Sequence, residues 1–148
     1  MISLPAGIEA ALAMRDPARV LAAALEHFGC QAGTVHRVSD GALRLAAHHG
    51  IPAPVVQLVE TVPIGKGIAG LAAERREPIT ICNLQTDSSG QARPGAKATG
   101  MEGSLAVPIL VEDDLRGVLG VAKATAYDWP EEEKELLLAV GSAMGTWL

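Results

Sequence analysis

The stretch 64–84, IGKGIAGLAAERREPITICNL, sets the terms for the rest of the chain. Gly65, Gly67 and Gly70 spell G-x-G-x-x-G, the spacing of a dinucleotide-binding turn. Such a turn needs a clean strand before it, a full helix after it and an acidic residue roughly 20 residues on. Asp87 suits the last requirement, but the others fail. Pro63 stands where the strand should end and has no N–H to give a sheet ladder. The helix has only 68–76 before Pro78 stops it, and no second β-α-β half follows. The simpler expectation is a sharp glycine turn and a short helix, with Gly70 letting that helix lie close to a sheet. Ala69, Leu71 and Ala72 give the helix a small apolar face, and Glu77-Pro78 turns the chain into a strand over 79–84.

The chain before this stretch builds towards it. An apolar helical segment at 8–14 is followed by Asp16-Pro17, a capping residue and a proline pre-set for the first helical position. Val20, Leu21, Ala24, Leu25 and Phe28 then form one helical stripe, which Gly29 ends. Strands over 31–38 and 42–48, joined by Ser39-Asp40-Gly41, make a hairpin. A short helix over 52–58 turns Val55, Leu58 and Val59 inward. Beyond the stretch, 86–103 is rich in Gly, Ser, Asp, Thr and Pro, with a helical turn expected at 94–97. A loop of that length in a compact domain is usually functional or mobile. Strands over 104–111 and 116–124 follow, joined at Glu112-Asp113-Asp114. The last helix starts near Pro130, with Glu131, Glu132 and Glu133 at its positive end.

This order predicts one α+β domain over 1–148. A central antiparallel sheet of five or six strands carries the terminal helices on one face; short helices and the long loop cover the other. With 49% hydrophobic but only 3% aromatic residues, the core must be built from Ala, Val, Leu and Ile. The formal charge of -5, with scattered Lys and Arg, argues against a nucleic-acid partner. No apolar run approaches a membrane span, and the first ten residues lack a leader's basic start. Cys30 and Cys82 are expected as reduced thiols of a cytoplasmic protein.

The two late strands say most about function. Successive side chains alternate between faces. Leu105, Val107, Ile109, Leu119 and Val121 share one face, while Ser104, Ala106, Gly120, Ala122 and Ala124 share the other. The small face either packs closely on a helix or floors a cavity under the long loop. In the second case Ser104, Ala106, Gly120 and Ala122 form the floor, and the loop around Asp87, Thr99 and Met101 the lid. Such a floor suits a small, weakly polar ligand held by backbone donors and Ser104. The loop, with few apolar anchors, is expected to be the least ordered part. Cys82 is expected as a small core residue beside the pocket. Adjacent His48 and His49 point to opposite faces, and with His36 they make no ligand cluster, so no metal and no cofactor are expected.

The glycine turn, the short helix and E-P-I-x-I-x-N-L, then 104–109, 115–121 and Trp129-Pro130-Glu131, together resemble the GAF family of sensory domains. The likeness runs from about Asp16 to the end, with Asn83 where that family often has Asp. It implies a small-molecule pocket between sheet and cover. That family also contains free methionine-(R)-sulfoxide reductases, whose chemistry needs an attacking and a resolving cysteine. The resemblance places one of those thiols at Ala69, and substrate-holding carboxylates at Ser104, Gly120 and Ala122; none is matched. For the cyclic-nucleotide-binding constellation, Ala122-Lys123, Trp129 and Glu133-Lys134 stand in incompletely, and neither cysteine has the histidine neighbour of bilin-binding members. The expected function is therefore a non-catalytic, ligand-binding regulatory module that signals through a separate protein. A reductase-like enzyme and a closed structural dimerisation module are the alternatives. A homodimer is expected through Leu136, Val140, Met144 and Trp147, completed by Ile8, Leu12 and Val20.

Overall fold

Asp16 accepts the Ala18 N–H at 3.0 Å and Pro17 takes the first helical position, so a helix starts there; Gly29, at φ 67°, ends it. Local signals of this kind set most of the elements. The computed structural model describes residues 2–148. Helices α1 (Ala6–Ala13) and α2 (Pro17–Phe28) lead into strands β1 (Ala32–Ser39) and β2 (Ala42–His49). Helix α3 (Ala53–Val59), strand β3 (Thr61–Pro63), helix α4 (Gly67–Arg75) and strand β4 (Ile79–Ile81) follow. The long loop holds one helical turn, α5 (Pro94–Lys97), before β5 (Gly103–Val111), β6 (Asp114–Lys123) and α6 (Glu131–Gly145).

The six strands form one sheet in the order β3-β2-β1-β6-β5-β4, with every pairing antiparallel. The architecture is thus the α+β arrangement expected, with one strand unforeseen. β3 pairs Val62 with Leu43 and Pro63 with Ala42 at the sheet's outer edge. There Pro63 marks an edge strand, where a missing N–H costs no ladder bond, rather than a break.

Alternation along the strands divides the interior in two. Val35, Leu105, Val107, Ile109, Leu119 and Val121 pack with α1, α2 and α6 in the larger core. Gly33 lies on that face, where an added Cβ would meet Leu21 Cδ1 at 2.8 Å, so α2 sits tightly on the sheet. On the opposite face Leu43, Ala106 and Val118 meet α4 through Ile68, Ala72 and Ala73. Behind α6, Lys123 Nζ donates to the Phe28 carbonyl at 2.5 Å and lies 4.3 Å from the Tyr127 ring centroid, joining the start of the sheet to the segment entering α6.

Three expectations are corrected here. Val140, Met144, Ile8 and Val20 are at most 1% exposed within a single chain, so they belong to its own core and not to a dimer face. Only Leu12, Leu136 and Trp147 of that set stay half-buried. Leu58 is 59% exposed, because α3 lies at the sheet's rim and turns only Val55 fully inward. The loop has anchors: Ala92, Ala96 and Met101 pack on the second core, and Gln85 Nε2 donates to the carbonyls of Lys97 and Met101 at 2.9 and 2.8 Å.

His36 is the buried polar side chain of the sheet, 2% exposed. Its Nε2–H donates to the Val59 carbonyl at 2.8 Å, tying β1 to the end of α3, while Nδ1 has no partner among the described residues. Burial lowers its pKa from the ordinary 6.5, and the Val59 bond opposes that shift more weakly. The folded protein therefore binds fewer protons at this site than the unfolded chain, and stability must fall as pH drops below 6.5. His36→Gln, which can keep a donor to Val59, is expected to flatten the acid side of the stability–pH curve. The difference can reach about 1.4 kcal/mol per pH unit, read from urea denaturation at a series of pH values. Identical slopes for the two proteins would show that His36 does not titrate differently on folding.

Candidate functional site

Register brings the small residues together. Ser104 pairs with Ala122 and Ala106 with Gly120, side by side on the face away from the terminal helices. Thr34 of β1 pairs with Gly120 and extends the same patch, its hydroxyl 3.3 Å from where a Gly120 Cβ would stand. Above this floor lies a cavity of about 320 Å³, within the usual range for metabolite pockets. Its walls come from α3 (Val55, Leu58, Val59), β3 (Val62) and the start of α4. Leu84, α5 and Met101 close the remaining side. The small face thus floors a cavity, and at Ala106 it also packs on α4.

Six of the eight residues predicted for the site, Ser104, Ala106, Gly120, Ala122, Thr99 and Met101, line this cavity. The other two do not. Cys82 is exposed, not a core residue, because β4 ends at Ile81 and the chain turns outward. Asp87 is engaged in its own turn, accepting from the Ser89 amide at 3.3 Å and hydroxyl at 2.7 Å. Asn83 shows why an amide serves at its position. Its Oδ1 accepts from the Gln85 N–H at 3.0 Å and its Nδ2 donates to Glu102 at 3.2 Å, which a carboxylate could not do.

Four polar side chains in the wall were not foreseen: Thr34, His36, Lys66 and Arg93. Lys66 is the residue before α4, and Arg93 the residue before α5. Both read as scattered surface cations in the sequence. The one local signal was Gly67: an added Cβ there would meet Arg93 Cδ at 2.9 Å, so this glycine makes room for the arginine stem. No Cys, Asp or Glu is among the lining residues. Among the described residues, no group of three or more His, Cys, Asp or Glu side chains is placed to hold a metal ion.

Both thiols are shifted towards their protonated form. Burial pushes Cys30 up to about 11, against a smaller opposing pull from Lys123. A hydrogen bond to the Asp128 carboxylate, which favours the protonated thiol, raises Cys82. Neither sulfur lines the cavity, and Ala69 stands in its wall.

Solved structures share this fold. The GAF domain of a phosphoenolpyruvate-protein phosphotransferase from Coxiella burnetii is 23% identical with a TM-score of 0.75, covering 97% of this chain and 83% of that one. A free methionine-R-sulfoxide reductase from Neisseria meningitidis, in complex with its substrate, is 15% identical with a TM-score of 0.76, covering 99% and 93%. The Nlh2 GAF domain from A. aeolicus, in an inactive state, is 19% identical with a TM-score of 0.70, covering 95% and 91%. At these identities the likeness speaks for the fold alone. No curated protein matches this chain in sequence. Among the described residues no helix is long and apolar enough to cross a membrane. The family model for the GAF domain matches residues 18–148, and with that span matched and the six-stranded sheet and covering helices in place, the chain belongs to the GAF domain family.

Proposed function

We propose that this protein is a non-catalytic sensory module that binds a small molecule between the sheet and its cover. The observation that carries this reading is a formed cavity whose wall contains neither thiol nor carboxylate. A ligand there touches α3, α4 and the 84–101 segment at once, so filling the pocket biases the position of the whole cover. Substitution at the floor tests it. Ala122→Leu projects into the cavity, so it is expected to abolish binding and leave the melting temperature close to wild type. In a closed interior the same change costs about 1–3 kcal/mol through overpacking. Thermal melts of both proteins with a metabolite panel decide. A mutant several degrees less stable, beside a wild type that no compound stabilises, would leave a purely structural module.

Reductases share the fold, so turnover needs its own test. Attack on a sulfoxide sulfur requires a thiolate or an activated thiol within reach of the substrate. With Cys30 raised to about 11 and Cys82 held protonated beside Asp128, neither meets that need near neutral pH. Free methionine-(R)-sulfoxide with a dithiol reductant is expected to remain unreduced. Turnover that disappears in Cys30→Ser or Cys82→Ser would make the protein an enzyme.

Two copies of the module associate, in this reading, through the half-buried Leu12, Leu136 and Trp147 at the outer side of the terminal helices. The same surface would face itself across a two-fold axis. Sedimentation at micromolar concentration is expected to show a dimer that Trp147→Glu dissociates. A monomer indifferent to dilution and to that substitution removes this part of the proposal.

A further inference from the structure

We propose, building on the pocket reading above, that the cavity takes a small organic carboxylate with an apolar body and no ammonium group. The charge in the wall is one-sided. Lys66 and Arg93 both line the cavity, and they reach it from separate segments, the entry to α4 and the entry to α5. The ion pairs among the described residues use Arg19, Arg116 and Lys134, so neither lining cation is neutralised by one. Arg93 is held over the start of α4, since its stem occupies the space that a Gly67 Cβ would need.

The helix start adds to this. No side chain caps α4 and its first turn has no acidic residue, while Gly67, Ile68 and Ala69 line the cavity. Its positive end and unpaired amides therefore meet the same space as the two cations. Glu74 is the carboxylate that comes near, its Oε2 2.6 Å from where a Gly65 Cβ would stand, but it is not part of the wall. The whole protein carries a formal charge of -5, so this cationic corner runs against the general field and marks a local need.

The remaining wall selects the rest of the ligand. Ile51, Val55, Val62, Ile68, Leu84 and Met101 give it an apolar body, and about 320 Å³ keeps that body small. An ammonium group would enter without a counter-charge, because the lining holds no Asp or Glu. Both cations are exposed, so an ammonium beside them would be partly solvated but repelled and without a carboxylate partner, which disfavours zwitterions against plain, 2-oxo or 2-hydroxy acids. A planar carboxylate matches the forked donors of Arg93.

Isothermal titration of the full chain tests the assignment with isovalerate and 2-oxoisocaproate, against isovaleramide and leucine. The two acids are expected to bind, and the amide and the amino acid to bind at least about tenfold more weakly. Arg93→Gln and Lys66→Gln are each expected to weaken the acids by about tenfold without changing the melting temperature. Equal affinity for amide or leucine overturns the charge assignment and leaves the pocket reading standing. Acid binding that survives Ala122→Leu lies outside the cavity and overturns it as well. A wild type that binds neither acid also overturns it. Only if Ala122→Leu is then several degrees less stable does the pocket reading fall with it.

Discussion

The site depends on one register. Because Ser104 faces Ala122 and Ala106 faces Gly120, these four positions present nothing taller than a hydroxymethyl group to the cover, beside the larger Thr34 and His36 of β1. Shifting either strand by one residue would bring Leu105 and Val121 to that face and fill the space. The opposite face uses the intervening residues, all bulky, against α2 and α6. Burial there contributes roughly 1.5–3 kcal/mol for each Leu, Ile or Val side chain, and the smaller second core on the other face adds to it. One sheet therefore has one face packed throughout and another that leaves a cavity of about 320 Å³.

The cover packs on this face through the second core, and hydrogen bonds fix its edges and its internal shape. His36 reaches up from β1 to the Val59 carbonyl at the end of α3. Gln85 fastens the far side through the carbonyls of Lys97 and Met101, and Leu84 N–H donates to the Glu102 carbonyl at 2.7 Å. Gly65 N–H closes the glycine turn on the Gly70 carbonyl at 2.8 Å, and an added Cβ at Gly70 would meet the Pro63 carbonyl at 2.5 Å. The glycines that resemble a nucleotide loop thus fold β3 against α4. They set the position of Lys66 and Gly67 at the cavity wall.

Much of this was legible because alternation and helical spacing are long-range patterns. The stripe of α2, the two faces of β5 and β6, and the helical turn at 94–97 could each be read directly. What escaped was short or depended on distant partners. β3 has three residues and one is proline, too little for any period to show. Cys82 looked like the continuation of a strand, but β4 stops one residue earlier and exposes it. Val140 and Met144 looked available for a partner because a stripe does not say whose core it fills; here β5 and the terminal helices claim it. Lys66 and Arg93 are 27 positions apart, and only the folding of the loop over α4 brings both to one wall.

The same inventory bears on whether anything is turned over. General acid–base catalysis needs a group that titrates near the working pH and touches the reacting atoms. His36 is the imidazole of the wall, but burial favours its neutral form, its Nε2 is committed to Val59, and its Nδ1 is buried. Of the lining hydroxyls, Thr99 Oγ1 donates to the Ala96 carbonyl at 2.6 Å. A reductase of this fold would place its thiol in the cover; here the cover contributes two cations and a helix start instead. The charged side chains of the wall are thus Lys66 and Arg93, with no carboxylate or thiol among the lining residues.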